Sequence, residues 1–338
     1  METLLKDVRY GFRMLVKSPG LTIVAVISLA LGIGANTAIF TLVDKLLLRT
    51  LPVEQPEQLV TIASYNGENT SFSYPLYVDY RDRNDVFSGI MAYSSAAFSL
   101  SDEGQTERIS GSIVTGNYFS VLGVNPALGR FFLPDEDQTP GAHAVAVLSY
   151  GLWKRHFNLD PAAINKTISL NNFTFTIIGV APAEFTGVVR GTSPEIYVPM
   201  MMQAEAMPSW TGALTARTMS WLEMIGRLSP GVTRQQAQAA LAVTSDQIAQ
   251  VNPMNVSRDI VLGDGSKGQD YMVQDVSRPL LWLMLIVGLV LLIACANVAN
   301  LGNYPFTVGI IYDTLYPYWR YRDDAKVHDK RFQPHVSR

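Results

Sequence analysis

Few residues in this sequence have the type and spacing that catalysis needs. Between its two long apolar runs the only histidines are His143 and His156. They lack the HExxH spacing that sets two imidazoles on one helix face for a metal. No GxSxG nucleophile elbow occurs. The single cysteine, Cys295, cannot form an internal disulfide, and it lies in an apolar run where a buried, inert thiol is expected. Asp135, Glu136 and Asp137 crowd three carboxylates together, but without the alternation of an EF-hand loop they read as a solvated loop. Gly263, Gly265 and Gly268 fit GxGxxG literally. The surrounding GDGSKG follows no clear strand and leads into a polar stretch, so a flexible turn is expected there rather than a dinucleotide site. No Walker A sequence is present, so the chain is not expected to hydrolyse ATP in the P-loop manner. The expectation is a non-catalytic protein without metal or cofactor.

The elements that would position any site are more legible. Hydrophobic residues make up 48% of the chain against 16% charged, and two uncharged runs carry most of the excess. The first, residues 21–43, reads LTIVAVISLALGIGANTAIFTLV. As a helix it reaches about 30 Å, enough to cross a bilayer's hydrocarbon core. Ser18 and Pro19 before it form a helix-start signal. A cleaved signal peptide would have a shorter apolar region, of about 7–15 residues, so a retained span is expected. The second run, residues 280–301, reads LLWLMLIVGLVLLIACANVANL, with Trp282 near its edge as interfacial aromatics sit. Gly32 and Gly34 belong to small-residue rows that let helices approach closely in lipid. Asn36, Asn297 and Asn300 are polar groups at membrane depth, expected to hydrogen-bond a neighbouring helix. Both features mark these spans as helices with partners.

Residues 1–20 read as a cytoplasmic amphipathic helix lying in the membrane interface. Leu4, Leu5, Val8, Phe12, Leu15 and Val16 share one face, and Lys6, Arg9, Arg13 and Lys17 form a basic one that suits anionic lipid. Four basic residues before the first span, against Lys45 and Arg49 after it, put the N-terminus in the cytoplasm. The segment between the spans is then extracytoplasmic, which in a Gram-negative cell means periplasmic. A net charge of −3 offers no basic footprint for nucleic acid.

Residues 44–279 read as mixed α+β, in one or two lobes. Strand-like runs are Leu59 to Ala63, Ala144 to Leu148, Phe173 to Val180 and Ile196 to Pro199. Helix-like stretches are Tyr77 to Phe87 and Thr233 to Gln250, the latter with Thr233 as cap. The fold expected is an α+β extracytoplasmic domain flanked by two transmembrane α-helices.

Several segments resemble one family in register and in order. DVRYGFRMLVKSPGLTIVAVISLALGIGANTAIFTLVD resembles the opening of ABC-transporter permeases of the MacB/FtsX type, especially acidobacterial-type ones. FSYPLYVDYRDRNDVFSGI, GNYFSVLGVNPALGRFF, AVLSYGLWKRHF, FTIIGVAPAEFTG and GRLSPGVTRQQAQAAL resemble their periplasmic core domain. RPLLWLMLIVGLVLLIACANVANL resembles the start of the FtsX-like membrane domain. The resemblance covers about residues 1 to 301. It implies a two-lobed periplasmic core and a permease that is not itself an ATPase. ATP hydrolysis by a separate cytoplasmic ABC ATPase would move the helices and, through them, the periplasmic domain (mechanotransmission, used in efflux). It also implies a bacterial inner-membrane location, with the lipid bilayer, a second permease chain in a dimer and a periplasmic adaptor as partners. The segment 302–338 departs from the family pattern: it is rich in tyrosine and charge and holds no run that could span, so it reads as a divergent cytoplasmic tail on a truncated permease. The other function class these features fit is a membrane-anchored periplasmic binding, sensor or scaffold module without transport. The substrate is not written in the sequence.

Overall fold

The computed structural model describes residues 19–44, 49–65, 71–102, 105–252, 259–269, 279, 281–293 and 295–296. The expected basic face at Lys6, Arg9, Arg13 and Lys17, the residues Asn297 and Asn300, and the tail 302–338 lie outside them. The chain divides into two compact units, residues 45–276 and the two flanking segments together.

In the flanking unit, α1 (Pro19–Val43) is an uncharged helix of 25 residues. Thr37 and Thr41 donate their hydroxyls to the carbonyls of Ile33 and Thr37, at 2.8 and 2.7 Å, so these polar groups are satisfied within the helix. Residues 281–293 are also helical. Large apolar side chains stand exposed on both helices, among them Ile27, Leu31, Phe40, Trp282, Leu285 and Ile293. Cys295, expected to be buried, is exposed as well, because this apolar surface is not covered by the protein's own residues. Among the described residues, taken without the side chains that fall outside them, no helix is long and apolar enough to cross a membrane.

The larger unit is built on one ten-stranded sheet. Its strands are β1 (Leu59–Tyr65), β2 (Phe87–Asp102), β3 (Gln105–Val114), β4 (Leu128–Gly129), β5 (Val145–Leu148), β6 (Thr167–Leu170), β7 (Phe173–Val180), β8 (Ile196–Pro199), β9 (Glu223–Leu228) and β10 (Asp259–Asp264). The order across the sheet is β10-β1-β9-β2-β3-β8-β5-β7-β4, with β6 paired to both β2 and β7. Pairing is antiparallel except for β3 with β8 and β5 with β7. The helices are α2 (Tyr74–Asp82), α3 (Tyr118–Leu122), α4 (Tyr150–Phe157), α5 (Gln203–Ala206) and α6 (Arg234–Val251).

Alternation along the strands sorts the core into two layers. Val60 and Ile62, Ala146 and Leu148, Ile196 and Val198 point to one face, where they meet Leu76, Tyr77 and Tyr80 of α2, Leu152 of α4, and Leu241 and Ile248 of α6. Leu59, Val147 and Tyr197 point to the other, where Tyr118 and Phe119 of α3 pack with Phe132 and Phe185. The four expected strands and the helix from Thr233 are present. Thr233 caps α6 in a reciprocal box with Gln236.

The helix expected at Tyr77 to Phe87 is displaced. It begins at Tyr74, capped by Ser73, and stops at Asp82. Asn84 turns the chain there: its amide donates to the carbonyls of Tyr80 and Arg81, and its side-chain oxygen accepts from Phe87 N, the first residue of β2. The solvated acidic loop is also overturned. Residues Pro134–Asp137 form a 3₁₀ turn in which Glu136 is buried and pairs with Arg130 through two contacts of 2.7 Å. The Arg130 hydrogen bonds hold the Glu136 carboxyl below its ordinary pKa, outweighing the opposing effect of burial. Asp137 accepts from Gly116 N and Met201 N instead of facing water.

Candidate functional site

Strands β1 and β10 are antiparallel neighbours, with Val60 opposite Asp264 and Tyr65 opposite Asp259. This pairing sets the start of β1 and the end of β10 at the same end of the sheet. The chain arriving from α1 and the chain leaving toward the second apolar run therefore meet there, at what we call the base. Leu51 N donates to Ser266 O at 2.8 Å and Gly265 N to Leu59 O at 3.0 Å. Beyond the turn, Gln269 bridges Val189, with Gln269 N on Val188 O at 2.7 Å and Arg190 N on Gln269 O at 3.2 Å.

The glycines of GDGSKG belong to this junction. A Cβ on Gly265 would stand 2.7 Å from the backbone carbon of Leu59, and one on Gly268, at φ +80°, would strike Val188 O. Close backbone approach accounts for Gly265 and Gly268 without any ligand. Contrary to the sequence reading, a strand does precede the motif, namely β10, whose LGD end is too polar and glycine-rich to stand out.

Two arginines tie the junction together. Arg190 donates from Nε to Lys267 O at 2.6 Å and from Nη2 to Arg49 O at 3.4 Å, so one guanidinium holds the outgoing and incoming segments at once. Arg227, on β9, donates to Val121 O at 2.6 Å, Glu54 O at 2.7 Å and Gln55 O at 3.2 Å. It thereby joins the incoming segment to α3 and the sheet. Burial lowers its pKa from the ordinary guanidinium value, the sign expected of a cation held by neutral carbonyls. Arginine suits this role because its planar fork serves several acceptors in fixed directions. Beside the junction lies a cavity of about 800 Å³ lined by residues of both segments and of the 184–193 loop. The cavity's lining holds three cationic residues, Arg49, Arg190 and Lys267, and one carboxylate, Glu184.

A family description matches residues 22–243: the MacB-like periplasmic core domain. The chain belongs to that family. The match begins inside α1 and stops inside α6, so β10 and the glycine turn lie beyond it. The periplasmic region of MacB from Actinobacillus actinomycetemcomitans is similar over 67% of this chain and 94% of its own, at 14% identity and a TM-score of 0.47. A domain of a putative permease protein from Porphyromonas gingivalis is similar over 66% and 98%, at 12% identity and TM-score 0.48. The extracellular domain of the noncanonic ABC-type transporter YknZ from Gram-positive bacteria is similar over 60% and 99%, at 11% and 0.45. No curated protein matches this chain.

Of the residues singled out from sequence, Gly32 is buried, and a Cβ there would stand 2.8 Å from Leu291 Cδ1. Gly34 faces open space and Asn36 is half-buried. His143 precedes β5, whereas His156 lies on α4 against the Phe157 ring. The base residues Arg190 and Arg227 were not anticipated. For Arg227 a signal existed: an arginine inside the apolar strand EMIGRL must find acceptors. Arg190 sits in a loop, where no local pattern marks it.

Proposed function

We propose that this chain is a permease component of an ABC transporter of the MacB/FtsX type, without catalytic activity of its own. In this reading residues 21–43 and 280–301 cross the bacterial inner membrane and residues 1–20 lie on its cytoplasmic face. Residues 44–279 stand in the periplasm. A separate cytoplasmic ABC ATPase moves the helices, a second permease chain completes a dimer, and a periplasmic adaptor receives the domain's motion in efflux. The observation that carries the reading is the family match over residues 22–243. The exposed apolar side chains of α1 and of residues 281–293 support membrane seating, since such surfaces mark lipid or partner contact. The double tie by Arg190 and Arg227 supports the transfer of motion, because both flanking segments are fastened to the sheet at one place.

The test is affinity purification of the full chain from carbonate-washed native membranes, with mass spectrometry of what accompanies it. An ABC ATPase in stoichiometric amount is expected. A chain recovered from the soluble fraction, or from membranes without any ATPase, overturns the proposal.

A further inference from the structure

The β2–β3 hairpin changes character along its length. Met91, Tyr93 and Val114 lie in the second core layer with the aromatic residues of α3. Alternation carries that face on through Ser95, Ala97 and Ser99 of β2 and Arg108 and Ser110 of β3, with Ala97 opposite Ser110 and Ser99 opposite Arg108. Here large apolar side chains stop, and all five residues are exposed. A loop overhangs this floor. Glu195 N donates to Ser110 O at 2.8 Å, and Ser110 Oγ donates to Ser193 O at 3.0 Å. Loop and floor enclose a cavity of about 520 Å³ whose lining includes Ser95, Ala97, Arg108, Ile109, Thr192 and Pro194. That volume suits a small molecule.

Arg108 is the charged residue of this lining. Among the described residues it has no hydrogen bond or ion pair. The nearby carboxylates are already matched: Arg155 of α4 holds Glu107 at 3.2 Å and Glu195 at 2.6 Å. A guanidinium fork presents parallel N–H groups to a carboxylate, and the Ser95 hydroxyl stands in the same lining. Ala97, Ile109 and Pro194 offer a second negative charge no donor, and Glu195, which accepts from Ser110 N at 3.3 Å, would repel one.

We infer that this cavity binds a small amphipathic monoanion, its carboxylate on Arg108 and its apolar body against Ala97 and Pro194. The site lies wholly within residues 45–276 and does not depend on the membrane reading.

The experiment is fluorine NMR of para-trifluoromethylbenzoate, titrated with the full chain in amphipol and read as line broadening. Arg108→Gln is expected to weaken binding about tenfold, the worth of one charge-assisted pair. Ala97→Trp, which fills the floor, should abolish it. Lys154→Gln, which removes an exposed cation of α4 outside the lining, should leave it unchanged. The neutral para-trifluoromethylbenzyl alcohol should bind about tenfold more weakly than the acid. Equal binding by wild type and R108Q, or an equal loss in K154Q, overturns the inference. So does inorganic phosphate displacing the probe at equal concentration, which would mean a bare-anion site, and so does probe binding lost as the chain is concentrated, which would mean that a second copy covers this face. Arg108 and Ala97 are exposed, so the variants should melt with wild type. Should one not, the wild-type preference for acid over alcohol decides, and equal affinity for the two overturns the assignment.

Discussion

Asp137 holds together two parts of the sheet that are distant in sequence, and its titration measures how dry that joint is. Its carboxylate accepts from Gly116 N at 2.7 Å, just after β3, and from Met201 N at 3.1 Å, just after β8. Burial is the largest influence and raises its pKa from 3.8 to about 6, against the opposing pull of those two amides and of Arg81. Between about pH 4 and pH 6 the folded chain therefore binds more protons at this group than the unfolded chain does. Its contribution to stability is fully present below about pH 4 and is lost as the pH rises through 6. One pH unit is worth about 1.4 kcal/mol, so the loss is about 3 kcal/mol. Asp137→Asn removes the titration. The new amide group faces one of the two backbone donors, which costs about 1–2 kcal/mol at every pH. Chemical denaturation of wild type and variant in detergent, at intervals from pH 4 to pH 7, is the assay. The wild-type advantage should shrink by about 3 kcal/mol across that range and can reverse sign. Using the difference between the two proteins cancels Glu136, whose lowered pKa slopes the opposite way. Parallel curves would refute the argument, since they would mean that Asp137 titrates as it does in the unfolded chain.

Other perturbations test the junction and the helix pair. Arg227→Met should cost about 2–4 kcal/mol, because it strands the carbonyls of Glu54 and Val121 while keeping the aliphatic stem, and denaturant midpoints would reveal it. Arg227→Lys should recover only part of that loss, since an ammonium cannot serve the same acceptors in one plane. Gly268→Ala should lower stability by about 1–3 kcal/mol through its φ of +80° and the Val188 carbonyl, whereas Ala at Gly231, where a Cβ meets nothing within 4 Å, should suffer only the backbone part of that penalty. Gly32→Leu should displace Leu291 and lower the melting temperature in detergent, while Gly34→Leu, facing open space, should not.

What was legible in the sequence follows from what each element needs. Strands β7 and β8 were readable to the residue because they are apolar, β-branched and bounded by turn residues. The β2–β3 hairpin, the longest pairing in the sheet, was not. Its sequence, SSAAFSLSDEGQTERISGS, is rich in serine and small residues, and only Phe98, Leu100 and Ile109 supply buried apolar anchors there. Such a hairpin is specified by its neighbours β9 and β8, which a local pattern does not contain. The acidic cluster was misread for the same reason. What decides the state of Asp137 is its burial, opposed by two amides contributed from residues 116 and 201, and nothing in residues 135–137 foretells either. The glycines of GDGSKG were visible as a pattern, but their meaning required knowing that Leu59 and Val188 press against them.

The same distinction bears on how motion would pass through the proposed permease. In that reading, force applied to the chain before Leu51 would reach β1 through residues 51–58, and force applied after Gln269 would reach β10 and, through the bridge, Val189. Were these strands far apart, each would load a different part of the sheet. They are hydrogen-bonded neighbours over six residue pairs, and β1 is also paired to β9. A relative slide of the two flanking helices would have to shear that ladder, whereas a common displacement moves it as a block. Arg190 adds a cross-link beyond the ladder, between Arg49 and Lys267, beside the Leu51–Ser266 hydrogen bond. Arg227 then carries displacement of the incoming segment to α3, whose aromatic residues fill the second core layer. In the proposed permease, such pairing would favour transmission of concerted motion of both segments over splaying. Substituting Arg190 by Gln while keeping the ladder intact should loosen the first coupling without unfolding the sheet. Spin labels at positions 49 and 267 would read that as a broadened distance distribution, and an unchanged distribution would place the coupling in the ladder alone.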